Sequence, residues 1–100
     1  MADFVSRHFE NKDRPELATI RKKKAEERLA RDGMATPAYF RMKLGLSQQQ
    51  LADAISSSQA AIARLENGQE KPGFDKLEKL KSTFGVTYDE LMEAVRNASS

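Results

Sequence analysis

One hundred residues are enough for one domain with a tail, and a hydrophobic share of 39% supports an adequate but not generous core. The chain has no cysteine, which excludes a disulfide framework and a thiolate zinc site. A net charge of +2 does not by itself announce a nucleic-acid partner. Neither a signal-peptide core nor an apolar run of membrane-spanning length occurs, so a soluble cytoplasmic protein with no membrane partner is expected.

Residues 1–14, MADFVSRHFENKDR, show no sustained periodicity. Phe4, Val5 and Phe9 make at most one apolar turn, and the segment is expected to be frayed or mobile. Pro15 suits the first turn of a helix, where its missing N–H costs nothing. From Glu16 to Arg31 the residues are strong helix formers with no interior glycine or proline. The apolar positions Leu17, Ala18, Ile20, Ala25, Leu29 and Ala30 form only a ragged stripe. A charged helix over about 15–32 therefore docks on something or fluctuates, and Asp32-Gly33 ends it.

Residues 1–35 carry nine basic and seven acidic side chains, against eight of each in residues 36–100. The run Arg21-Lys22-Lys23-Lys24 would suit a second phosphate-contacting element. A solvated helix face is the preferred reading, because Glu26, Glu27 and Asp32 follow closely.

A tighter unit starts at Thr36, a suitable N-cap, with Pro37 in the first helical position and Gly45 as the stop. Ser47 caps the next helix, with Leu51, Ala54 and Ile55 as its expected apolar face. Ser56-Ser57 breaks the pattern, Ser58 caps a third helix with Ile62 and Leu65 inward, and Asn67-Gly68 closes it. A loop over residues 69–73 leads to a helix from about Phe74 to Phe84, with Leu77, Leu80 and Phe84 on one face and Gly85 at its end. Thr87 caps a fifth helix carrying Tyr88, Leu91, Met92 and Val95. No segment alternates with period two, so the expected class is all-α: a five-helix bundle over residues 36–97, an N-terminal helical extension over 1–35 and a tail over 98–100.

The two helices after Ser47 and Ser58 are joined by so short a turn that they must cross steeply. The second then presents an outer face. At roughly 100° per residue, Ala60, Arg64 and Asn67 lie opposite Ile62 and Leu65, with Gln59 at the exposed start. Glutamine can bond adenine N6 and N7, arginine can fork onto guanine O6 and N7, and a methyl can meet the thymine methyl. The helix starts at Ser47-Gln48 and Ser58-Gln59 offer N–H groups to phosphates. Double-stranded DNA is the expected partner.

The landmarks from Ala38 to Met92 resemble the phage repressor/Cro (XRE-like) family of helix-turn-helix proteins. They are, in order, Arg41, Leu44-Gly45-Leu46-Ser47-Gln48, Leu51-Ala52, Ile62, Arg64-Leu65-Glu66-Asn67-Gly68, Pro72, Phe84-Gly85-Val86 and Asp89-Glu90-Leu91. The resemblance implies a lambda-repressor-like bundle in which residues 48–55 position and residues 58–67 read. It assigns base reading to Gln59, Ala60, Ala61 and Arg64. Phosphate contact falls to Gln48, which also braces the reading helix, and to Asn67, Gln69 and Lys71, with Ser58 at the helix start. Arg41 and Glu66 match an internal pair. Helical arithmetic agrees on this pair, because Glu66 falls near the inner edge beside Ile62 and a half-buried carboxylate needs a cation. The family usually has glycine and then an apolar residue in the turn. Ser56 and Ser57 here predict a serine at positive φ, costing about 1 kcal/mol, and looser packing between the two helices.

The function implied is a sequence-specific transcriptional regulator, a repressor, working as a homodimer. Tyr88, Leu91, Met92 and Val95, the extension, or both would form the dimer surface. The other reading is an antitoxin whose residues 1–35 neutralise a toxin protein while the helix-turn-helix represses its own operon. Enzymatic activity, a cofactor and a metal are not expected: the one histidine, His8, stands in the segment expected to be mobile, without a cysteine nucleophile, phosphate loop or ligand cluster.

Overall fold

The structure, a computed structural model, describes residues 14–99, so the expectations for Phe4, Val5, His8 and Phe9 lie outside the described residues. Among the described residues the protein is all-helical, with six helices in chain order: α1 (Pro15–Asp32), α2 (Pro37–Lys43), α3 (Gln48–Ala54), α4 (Gln59–Glu66), α5 (Phe74–Phe84) and α6 (Tyr88–Ala98). α6 runs one residue into the stretch expected as a tail. None of these helices is long and apolar enough to cross a membrane.

Local chemistry accounts for most of the boundaries. The hydroxyls of Thr36, Ser47, Ser58 and Thr87 each accept from the backbone N–H three residues on, occupying one of the orphan donors of a helix start. Two of these caps are reciprocal, because Gln50 accepts from the Ser47 N–H and Glu90 from the Thr87 N–H. That role explains why Gln50 is buried although it is polar.

The core lies where α3, α4, α5 and α6 meet. Leu51, Ala52, Ile55, Ile62, Leu65, Leu77, Leu80, Phe84, Leu91 and Val95 form one cluster, with Phe40, Leu46, Val86 and Met92 packed against it. Phe40 meets Phe84 with ring centroids 5.4 Å apart. On α3 the inward alanine is Ala52, whereas Ala54 is exposed, contrary to the face expected from the sequence. At 100° per residue, Ile55 and Ala52 lie on the same side of Leu51, and Ala54 lies on the other.

Between α3 and α4 the chain turns with Ser56 at φ +56°. The Ser57 N–H donates to the Ala52 carbonyl at 2.7 Å and the Ser56 N–H to the Asp53 carbonyl at 3.3 Å. This is the paired closure normally built on a left-handed glycine. The turn therefore keeps its regular form with serine in the strained position.

α1 lies antiparallel along α2. Arg21 Nη1 donates to the Gly45 carbonyl at 3.1 Å, and Arg28 Nη1 approaches Met42 Sδ at 4.0 Å. Ala25 is buried at the seam. A side chain at Gly45 would meet Ala18 Cβ at 3.0 Å, so the missing Cβ lets the extension approach. Leu17 and Ile20 stay exposed on α1 and Leu44 beyond α2. At the other end, Asn97 Nδ2 donates to the Ala35 carbonyl at 2.8 Å and ties α6 to the entry of α2.

Candidate nucleic-acid interface

α4 is eight residues long and anchored on one side only. Ile62 and Leu65 are 0% and 2% exposed, whereas Gln59, Ala60 and Arg64 face outward. Ser58, which caps the helix, and Asn67, which ends it, are exposed as well, as are Gln69 and Lys71 in the following loop. Ala61 is a correction. It is 7% exposed and turned into the bundle, because it stands next to Ile62 on the inward side of the helix. It leaves the outward row.

The two glutamines at the helix starts are joined to each other. Gln59 Nε2 donates to Gln48 Oε1 at 3.4 Å, and Gln48 Nε2 donates to Glu66 Oε1 at 3.0 Å. Gln48 thus braces both ends of α4 from the first residue of α3. Beneath it, Arg41 Nε donates to Glu66 Oε2 at 2.6 Å and Nη2 to Oε1 at 3.2 Å. Arg41 Nη1 takes the Leu46 carbonyl at 2.8 Å. The pair is nearly dry, with side-chain exposures of 11% for Arg41 and 6% for Glu66. Such a two-point guanidinium–carboxylate contact fixes orientation as well as distance.

Glu70 is a residue of the surface that sequence reasoning missed. Arg64 Nε donates to Glu70 Oε1 at 2.7 Å, and Lys76 Nζ stands 3.8 Å from Oε2. The hydrogen bond from Arg64 holds the Glu70 carboxyl below the ordinary carboxylate range, and the charges of Arg64 and Lys76 pull the same way. The contact joins residues six apart around the bend at Gly68, where no helical spacing would bring them together. The only signal was an acid between Gln69 and Lys71, two residues expected at phosphates. Among the described residues no group of three or more histidine, cysteine, aspartate or glutamate side chains could hold a metal ion.

The comparisons with known proteins agree with this geometry. A family model described as helix-turn-helix matches residues 38–91. A protein from Haemophilus influenzae, described as an uncharacterized HTH-type transcriptional regulator, is 40% identical over 58 residues, which cover 58% of this chain and 59% of that one. The HTH-type transcriptional regulator DdrOP3 of Deinococcus deserti is 34% identical over 56 residues, covering 56% of this chain and 43% of that one. The matched segment thus spans about half the length of each of these relatives. The chain belongs to the helix-turn-helix family, of the phage repressor/Cro type.

Proposed function

We propose that this chain is a sequence-specific transcriptional repressor, acting in the cytoplasm, that lays the outer face of α4 in the major groove of double-stranded DNA. One observation carries the reading: a capped helix with a dry inner face presents Gln59, Ala60 and Arg64 in one outward row. These are two side chains able to form bidentate bonds with base edges and a methyl small enough to let the backbone approach. Gln48, Ser58, Asn67, Gln69 and Lys71 surround the row and serve phosphates. A homodimer reading two half-sites about one helical turn apart brings affinity and specificity into the useful range. Leu91 and Val95 are buried in the bundle and Met92 is packed in part against it, so of these four apolar residues of α6 Tyr88 is the exposed one, with the rest of Met92 beside it, for a dimer contact.

A site selected from random-sequence duplexes tests the reading. Gln59→Ala and Arg64→Ala each relax preference at particular base pairs, whereas Lys71→Ala weakens binding almost equally for all sequences. Identical losses on selected and random DNA for all three variants remove the case for a reading helix.

A second reading, an antitoxin, has its own support in Leu17 and Ile20, which stay exposed on the docked α1. In that reading the exposed stripe, together with the residues before it, takes the toxin. A small basic protein encoded beside this chain, captured by it and lost on Leu17→Asp and Ile20→Asp substitution, is the result that would favour it.

A further inference from the structure

The loop that leaves α4 carries Gln69 and Lys71, both expected at phosphates, with a carboxylate between them. An acid at that point repels the DNA backbone, so its presence needs a reason. The geometry gives one. The Gln69 N–H donates to the Arg64 carbonyl at 2.8 Å, which folds the loop back over the last turn of α4. Glu70 is thereby carried to Arg64 Nε at 2.7 Å, while Lys76 on α5 stands by its other oxygen at 3.8 Å. Glu70 is two-thirds covered, with a side-chain exposure of 33%, yet Arg64 remains 50% exposed.

We propose that Glu70 is a positioning residue for base reading, and this rests on the reading of α4 given above. Arginine has five N–H donors in a planar fork. The bond to Glu70 uses Nε and leaves the two terminal amino groups, Nη1 and Nη2, pointing along the fork. Those groups match guanine O6 and N7 end-on. An untethered arginine must give up rotamer freedom when it docks, whereas one held by a carboxylate arrives already oriented. Lys76 holds the carboxylate in turn and offsets its charge towards the DNA. The acid of this loop trades some backbone affinity for discrimination at one base pair.

The experiment measures binding of the full-length protein to its selected site and to every single-base-pair variant of it, by fluorescence anisotropy at one salt concentration. Arg64→Ala identifies the base pair that Arg64 reads, losing about ten-fold or more of discrimination there. Glu70→Ala is expected to lose at least about three-fold at that same pair and to leave the pair read by Gln59 unchanged. It is also expected to bind random duplex more tightly, because one repelling charge is gone. Glu70→Gln keeps an acceptor for Arg64 Nε and restores much of the discrimination, whereas a role in stability alone would show as a lowered Tm and a loss spread over every base pair.

Unchanged discrimination in Glu70→Ala, where Arg64→Ala has shifted it, overturns the role of Glu70 alone. Sharper discrimination in Glu70→Ala also overturns it, showing a latch that withholds Arg64 from DNA. If Arg64→Ala shifts no preference at all, the reading of α4 falls, and this proposal falls with it.

Discussion

Arg41 on α2 and Glu66 at the end of α4 form a two-point ion pair across 25 residues of chain, at 2.6 and 3.2 Å. The pair bridges the helix that receives α1 and the helix proposed to read DNA. Gln48 donates to the same carboxylate, so α2, α3 and α4 converge on a single charged group. Burying a charge is costly, and removing one partner leaves the other uncompensated.

Arg41→Ala should therefore destabilise the fold by about 3–5 kcal/mol. In a domain of this size that lowers Tm by more than about 10 °C. The folded fraction is expected to keep the base preference of the parent, because Arg41 is buried away from the outer face of α4. Thermal melting and binding-site selection on the same variant check this. An unchanged Tm with an altered site would refute it.

Ser56→Gly is expected to stabilise the protein by about 0.5–1 kcal/mol. The serine sits at φ +56°, where an L side chain is strained and glycine is not. The greater freedom of glycine in the unfolded chain offsets part of the gain. Both closing hydrogen bonds of the turn come from backbone N–H groups, so the substitution removes neither. Chemical denaturation should show a higher midpoint with an unchanged slope; a lower midpoint means that the serine hydroxyl contributes something the turn needs.

These cases show which parts of the molecule were legible in the sequence. Thr36, Ser47, Ser58 and Thr87 declared the helix starts because a cap acts on an N–H only three residues away. The inward positions of Ile62 and Leu65 followed from helical arithmetic, since large apolar side chains dominate a face. Alanines were harder. Ala52, Ala54 and Ala61 carry too little apolar area for periodicity to assign them, and their burial depends on which neighbour arrives opposite. The docking of α1 depends on the absent side chain of Gly45 opposite Ala18, and as a helix stop Gly45 already had a sufficient local explanation. The Arg64–Glu70 pair was invisible because it depends on the path of the chain after Gly68.

Gly68 and Gly33 provide a matched comparison. Both are left-handed, at φ +73° and +72°, but their surroundings differ. A Cβ on Gly33 meets nothing within 4 Å, whereas one on Gly68 would come within 2.4 Å of the Ala98 carbonyl oxygen and 2.9 Å of Ser99 Cα. Gly33→Ala should cost only the backbone strain, about 1 kcal/mol. Gly68→Ala should cost that and a further 1–3 kcal/mol, roughly the range for overpacking, because backbone atoms at the end of α6 must be displaced. Equal losses in Tm would mean that the end of α6 yields freely and does not press on the end of α4.

Acid sensitivity should trace to identifiable carboxylates. The Thr87 backbone N–H, and then its hydroxyl, hold the Glu90 carboxyl below its ordinary value of 4.5, and the start of α6 favours a negative charge there. In the unfolded chain that value returns, so the folded state binds the proton less readily. The contribution of the charge is then fully present above about pH 4.5 and is lost as pH falls through the lowered folded value. Glu90→Gln keeps an acceptor for the Thr87 N–H without the charge. The parent should be more stable than this variant at pH 7, and the two should converge in strongly acidic solution. Glu70 adds a parallel loss through Arg64, so Glu70→Gln should flatten the acid limb of the stability profile as well. A stability gap between parent and Glu90→Gln that persists undiminished to low pH would show that the ionised carboxylate is not what distinguishes them.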